Sequence, residues 1–320
     1  MVGLKRANAA ALVFGFAVVA TATGCSEPGQ SRDQPAAEAS RTDDAQNFDV
    51  SSELRAVIAD VESEFDVRAG VSVADQEETF NAGLKGDEPA WSTVKVPIAI
   101  AALRDGASPE LVDLAIKESD NDAAYALWSH VQWTEGDAGS AVKALLKEYD
   151  TTGEFAEPFG YSTWVLEEQA KFGAHLPCIP EAEQVYEAMD DIVEWQDNGL
   201  DKLPDTRAKG GWGLSETDNG YTHRQIGVRE TAGGGTAENG AVGLAIEVTM
   251  PGEYAEEAIP ALDTLAAGVD RVVSEALEAG ALTPQVGCAQ PSAPSAVKGT
   301  SSSTAREVSA TTSARRFGSR

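Results

Sequence analysis

A long block of helical apolar spacing, set between two regions of strand-like alternation, restricts this chain more than any other feature. From Val94 to about Gly199, apolar residues recur three and four apart: Leu111, Leu114, Ala115 and Ile116, then Ala124, Leu127 and Trp128, then Val142, Leu145 and Leu146, then Trp164, Leu166 and Phe172. That is the period of helices with one buried face. In front of the block, Leu54, Val57, Ile58, Val61 and Phe65 predict a helix over Ser52 to Phe65, and Val71-Ser72-Val73 and Thr79-Phe80-Asn81 read as strands. Behind it, Arg207-Ala208-Lys209, Tyr221 to Val228 and Ala241 to Thr249 read as three successive strands, and Ala255 to Ala279 as a closing helix. Strands separated in this way bury their apolar faces by joining one sheet, which the helical middle interrupts. The expectation is an α/β (α+β) domain built from residues 48–91 and 203–290, with an inserted all-α domain over residues 92–202.

Composition removes several function classes. At 320 residues and 42% hydrophobic, the chain is long and apolar enough for a sizeable core. Its formal charge of −28 repels a phosphate backbone, so nucleic acid is not an expected partner. The three His (His130, His175, His223) and three Cys (Cys25, Cys178, Cys288) are scattered, which argues against a metal centre, and no organic cofactor is implied.

The ends speak to location. Lys5 and Arg6, an apolar run from Ala7 to Ala22 and the small residues Thr23 and Gly24 make residues 1–24 an export signal, too short to span a bilayer stably. Ala22-Thr23-Gly24-Cys25 resembles a bacterial lipobox, which implies lipid attachment at Cys25 and anchoring to the outer face of the cell membrane. Residues 25–47 are rich in Ser, Pro, Asp and Ala and read as a flexible tether, and the Ser, Ala, Thr and Pro of residues 291–320 as a disordered tail. Setting Cys25 aside leaves Cys178 and Cys288. In an exported protein these are expected to pair, two separate buried thiols being the other arrangement.

Chemistry first shows at Ser92-Thr93-Val94-Lys95. If Ser92 opens the helix over Val94 to Leu103, Lys95 lies on the same face, and a desolvated neutral amine there can take the serine proton. The S-x-x-K pattern recurs at Ser140 to Lys143 and Ser295 to Lys298, so context must choose. Only Ser92 follows a strand pair, opens an apolar helix, and is followed by Ser119-Asp120-Asn121 and then by Lys209-Gly210-Gly211 at a predicted strand.

Here the sequence resembles the penicillin-recognising serine acyl-enzymes, the superfamily of class A β-lactamases and D-alanyl-D-alanine peptidases with their S-x-x-K, S-D-N and K-T-G trio. With the lipobox, it looks like an actinobacterial-type β-lactamase-like lipoprotein. The resemblance implies a mixed, mainly antiparallel sheet with terminal helices around the all-α insertion. It makes Ser92 the acylated nucleophile, Lys95 its activating base and Ser119 a proton shuttle to the leaving nitrogen. Asn121 would bind the substrate amide, and Lys209 would hold an electropositive wall. Gly211 lies on the same substrate-binding strand. The N–H of Ser92 and one near Trp212 or Gly213 would form an oxyanion hole, with Arg224 as a further carboxylate-binding candidate.

Three departures go with it. Gly210 lacks the hydroxyl of K-T-G, the interval from Ser92 to Ser119 is short, and the E-x-x-L-N motif carrying a deacylating glutamate is absent between Tyr149 and Ser162. Neither Glu154 nor Glu157 is assigned that role from sequence. The expected activity is an acyl-enzyme reaction through Ser92 on a β-lactam or peptidoglycan-like amide, by a monomer tethered in the envelope. The alternative is a non-catalytic lipoprotein of the same fold that binds cell-wall material or a protein partner.

Overall fold

Asp49 opens the first helix: its Oδ1 accepts the Ser52 N–H at 2.9 Å, and such a cap contributes about 1 kcal/mol. The computed structural model describes residues 48–215, 220–231, 240–252 and 256–286. Helix α1 (Val50–Phe65) buries Val50, Leu54, Val57, Ile58 and Val61, the stripe seen in the sequence, and ends at Asp66 in the left-handed region. Strands β1 (Arg68–Ala74) and β2 (Thr79–Gly83) follow as an antiparallel pair.

The helical block contains α2 (Lys95–Arg104), α3 (Pro109–Lys117), α4 (Asn121–Glu135), α5 (Ala138–Glu148), α6 (Leu166–His175) and α7 (Glu183–Ala188). Strands β3 (Thr206–Leu214), β4 (Gly220–Glu230) and β5 (Ala241–Pro251) come next, then α8 (Ile259–Ala279). The five strands form one sheet in the order β2-β1-β5-β4-β3, with every neighbouring pair antiparallel. This is the mixed architecture expected, with one helix before β1, another after β5, and the helical block between β2 and β3.

One core joins the sheet to α1 and α8 through Leu54, Ile58, Val71, Ile246, Leu265 and Val269; a second lies among the helices around Ile98, Ile116, Leu127, Leu146 and Phe172. Helix α6 reaches out of that block: Leu166 and Ala170 pack on Ala74 and Ala245 of the sheet. The apolar spacing that marked it as helical carries no information about which neighbour it covers.

Two boundaries moved for physical reasons. Helix α8 starts at Ile259 with Pro260 in its first turn, where a missing N–H is harmless, and the residues just before it, Glu256–Ala258, form a 3₁₀ turn. Strand β3 extends to Leu214 through three glycines that gave no strand signal. Cys25, Cys288 and the Ser295 to Lys298 pattern lie outside the described residues, so the expected lipid attachment and the Cys178 to Cys288 pairing fall there too.

Candidate active site

Ser92 sits in a 3₁₀ turn, Trp91–Val94, that runs straight into α2, and the Lys95 N–H returns to the carbonyls of Ser92 and Thr93. Trp91, just before it, has φ of 50°, a left-handed value that costs a non-glycine residue roughly 1–3 kcal/mol. Lys95 is buried at 1% exposure. Its ammonium donates to the Ser119 carbonyl (2.6 Å), to Ser119 Oγ (3.2 Å) and to Asn121 Oδ1 (2.8 Å).

Ser119 owes its place to a backbone turn. It too has a left-handed φ, of 54°, and Asp120 behind it caps α4 by accepting the Ala123 N–H at 2.6 Å. Asp120 thus starts the helix while Ser119 and Asn121 turn to Lys95. From the opposite wall, Lys209 on β3 donates to the same Ser119 Oγ at 3.1 Å, and also to Gly210 O (2.9 Å) and Gln196 Oε1 (3.4 Å). One hydroxyl thus lies between two buried ammonium groups.

Burial, which disfavours charge, brings the Lys95 ammonium down to about 8, with Asp120 opposing the shift. Lys209 is pushed down to about 7, first by burial and then by the positive charge of Lys95, while Asp201 acts the other way. Near neutral pH the pair therefore releases a proton readily, and a neutral amine beside a serine is a competent base.

Strand β3 is an edge strand, and alternation decides what its free edge offers. The Ala208 N–H points away from β4 to the Met189 carbonyl (3.3 Å), so the backbone groups of Gly210 and Trp212 face the same way. Of the two residues that the sequence left open for the oxyanion hole, Trp212 is the one whose N–H faces outward; that of Gly213 turns toward β4. A β carbon on Gly211 would stand 2.6 Å from the Ser92 nitrogen, and one on Gly213 would strike the Trp91 ring. Both glycines are needed so that the strand can approach the serine turn.

The cleft holds about 390 Å³ and is lined by Trp91, Ser92, Asn121, Tyr125, Glu157 and Trp212, among others. Glu157, unassigned from sequence, is thus on the same cleft as Ser92. The segment carrying it is pinned to the one leading into the serine turn: the Ala90 N–H donates to Ser162 O (2.8 Å), and Pro89 forms a bridge with Thr163. The Glu157-Pro158 bond is cis. Glu154 instead pairs with Lys143 at 3.0 Å on the surface. The second S-x-x-K pattern is accounted for as well, since Ser140 belongs to the Asp137 cap of α5 while its Lys143 is the partner of Glu154.

Arg224 requires a correction. It is fully buried and donates to the carbonyls of Glu88 (2.7 Å), Pro89 (3.0 Å) and Trp164 (2.9 Å), with Glu247 at 3.6 Å. Its guanidinium is committed to fastening the segments on which Ser92 and Glu157 depend and is not available to a substrate carboxylate. Gln196, also absent from the sequence reading, supplies a carbonyl to Lys209; neither Gln196 nor Glu157 sits in a periodic segment that would have marked it.

No protein-family model and no curated protein matches the chain. Solved structures do: a class A β-lactamase from Bacteroides cellulosilyticus aligns at TM-score 0.55 and 14% identity, covering 71% of this chain and 99% of that one. A β-lactamase from Streptosporangium roseum aligns at 0.53 and 15%, covering 70% and 99%. One from Xanthomonas campestris aligns at 0.50 and 19%, covering 71% and 99%. At these identities the likeness is one of fold: the chain has the β-lactamase-like fold, over nearly the whole length of those enzymes.

Proposed function

We propose that the chain is a serine hydrolase acting through an acyl-enzyme on a β-lactam or peptidoglycan-like amide, held at the outer face of the cell membrane by a lipid on Cys25. The observation that carries this reading is the single Ser119 hydroxyl between the two buried amines of Lys95 and Lys209, with Asn121, a further partner of Lys95, on the same cleft as Ser92. Neutral Lys95 takes the proton as Ser92 Oγ attacks the amide carbon. The N–H groups of Ser92 and Trp212 receive the oxyanion. The proton then passes through Ser119 to the amide nitrogen, the C–N bond breaks, and the acyl group remains as an ester on Ser92. Lys209 holds Ser119 in line from the opposite wall. Glu157 is the candidate to deprotonate the water that cleaves the ester, returning the proton to Ser92 and releasing the acid.

The test is the rate of opening of a reactive penicillin, followed by loss of its ring absorbance. Wild type should consume it, Ser92→Ala should not, and Glu157→Gln should slow turnover by about 10²–10⁴, the usual size of a lost general base. Equal consumption by wild type and Ser92→Ala would end the reading. So would an intact penicillin together with an unmodified wild-type protein.

A further inference from the structure

A concavity of about 340 Å³, separate from the Ser92 cleft, opens where α1, the strands β1 and β2 and the start of α6 come together. Its lining includes Arg55, Asn81, Leu84, Lys85, Val165 and Glu167, none of which borders the cleft. Two of these side chains depart from the pattern of the molecule. With 52 acidic residues against 24 basic ones, a surface cation here finds a carboxylate easily. Arg104, Lys117, Lys143, Lys171, Lys202 and Arg271 each hold one at 2.6–3.0 Å. The side chains of Arg55 and Lys85 make no hydrogen bond and no ion pair among the described residues, and both stand on this pocket. Water solvates a lone surface cation well, but two that share a concave wall in so acidic a chain form a local positive spot open to an anion.

The rest of the lining sets the kind of anion. Ser72, at 2% exposure, already gives its hydroxyl to Asn81, and Glu167 is held by Lys171 at 2.7 Å, so the two free cations are the groups left to engage a ligand. Glu167 still counts in the balance: the lining carries two positive charges and one negative, which a single negative charge on the ligand completes and a dianionic phosphate exceeds. Leu84 and Val165 are only partly covered, so apolar surface adjoins the cations. The Lys85 carbonyl accepts the Leu166 N–H at 2.9 Å, which fastens the two walls together in advance of binding.

We propose that this pocket binds an organic monocarboxylate, its head held by Arg55 and Lys85 and its apolar body laid on Leu84 and Val165. A guanidinium suits that head, since it can donate two parallel N–H bonds to one carboxylate. The site does not depend on the reading of Ser92 as nucleophile.

Sodium octanoate is titrated into the full chain by calorimetry, with octan-1-ol, acetate and octyl phosphate as comparators. Octanoate should saturate one site at about millimolar concentration, the reach of so small a ligand. Octanol, which lacks the charge, and acetate, which lacks the body, should each bind at least about tenfold more weakly. Arg55→Gln combined with Lys85→Gln should weaken octanoate at least about tenfold and keep the wild-type melting curve, because both side chains are exposed and unpartnered. Lys147→Gln on α5 removes one positive charge elsewhere and should leave the affinity unchanged. No saturation by about 10 mM octanoate would overturn the proposal. So would undiminished affinity in the double variant, equal weakening by Lys147→Gln, binding of octanol or acetate as tight as that of octanoate, or tighter binding of octyl phosphate.

Discussion

Two buried ammonium groups on either side of the Ser119 hydroxyl define the chemistry at the scale of single residues. Both are lowered by burial, Lys95 to about 8 and Lys209 to about 7. Acylation of Ser92 by a penicillin should therefore accelerate as pH rises toward about 8, while Lys95 loses its proton, and then level off; stopped-flow acylation rates between pH 6 and about 10 check this. Lys95→Ala should lower the plateau by about 10²–10⁴. Stability follows the same shift. A lysine whose folded pKa lies below its unfolded 10.5 leaves the unfolded chain holding more protons, so this contribution to stability grows from about pH 7 up to 10.5. Melting curves should show a smaller gain between pH 7 and pH 9 for Lys209→Met than for wild type, and an equal gain would contradict the assignment. Ser92, Lys95, Ser119 and Lys209 stood out in the sequence through the order and setting of their three motifs, since the S-x-x-K pattern alone occurs three times. Glu157 and Gln196 did not, because their positions depend on long-range backbone hydrogen bonds and on no local period.

Elements explain why the cleft holds its shape. Strand β4 carries Arg224 beneath the loop that leads to Ser92, and Glu247 of β5 shares its burial. Burial makes charge costly for both: the guanidinium is pushed below its ordinary range and the carboxyl above. Arg224→Met leaves Glu247 buried with its charge partner gone. It should cost about 3–5 kcal/mol by denaturant unfolding, with much of that recovered when Glu247→Leu is added. Full stability of the single variant would show that the guanidinium fastens nothing. Sequence alternation placed Arg224 on a strand, yet it could not say whether that face met solvent, substrate or the carbonyls of a loop. The same blindness hid the packing of α6 on the sheet, whereas α1 was legible because its buried residues recur three and four apart; β4 and β5 are buried almost throughout.

At the scale of the whole molecule, the interrupted sheet brings Ser92, before α2, against Gly211 and Trp212, which follow the entire helical block. That closure was readable from the order of strand and helix signals, because separated strands with apolar faces have few ways to be buried. Its depth was not, since the glycines that let β3 approach Ser92 carry no pattern of their own. The net charge of −28 also acts on the molecule as a whole. Screening self-repulsion should raise the thermal midpoint between low salt and roughly 0.15 M salt, where the Debye length is about 8 Å. A midpoint that falls would locate the dominant charge effects in attractive pairs instead. The most direct test of the central claim is intact-protein mass spectrometry of the chain incubated with a penicillin, beside Ser92→Ala and Glu157→Gln. The account predicts a covalent addition equal to the whole penicillin, lengthened in lifetime by Glu157→Gln and absent from Ser92→Ala; an addition that persists in Ser92→Ala would contradict it.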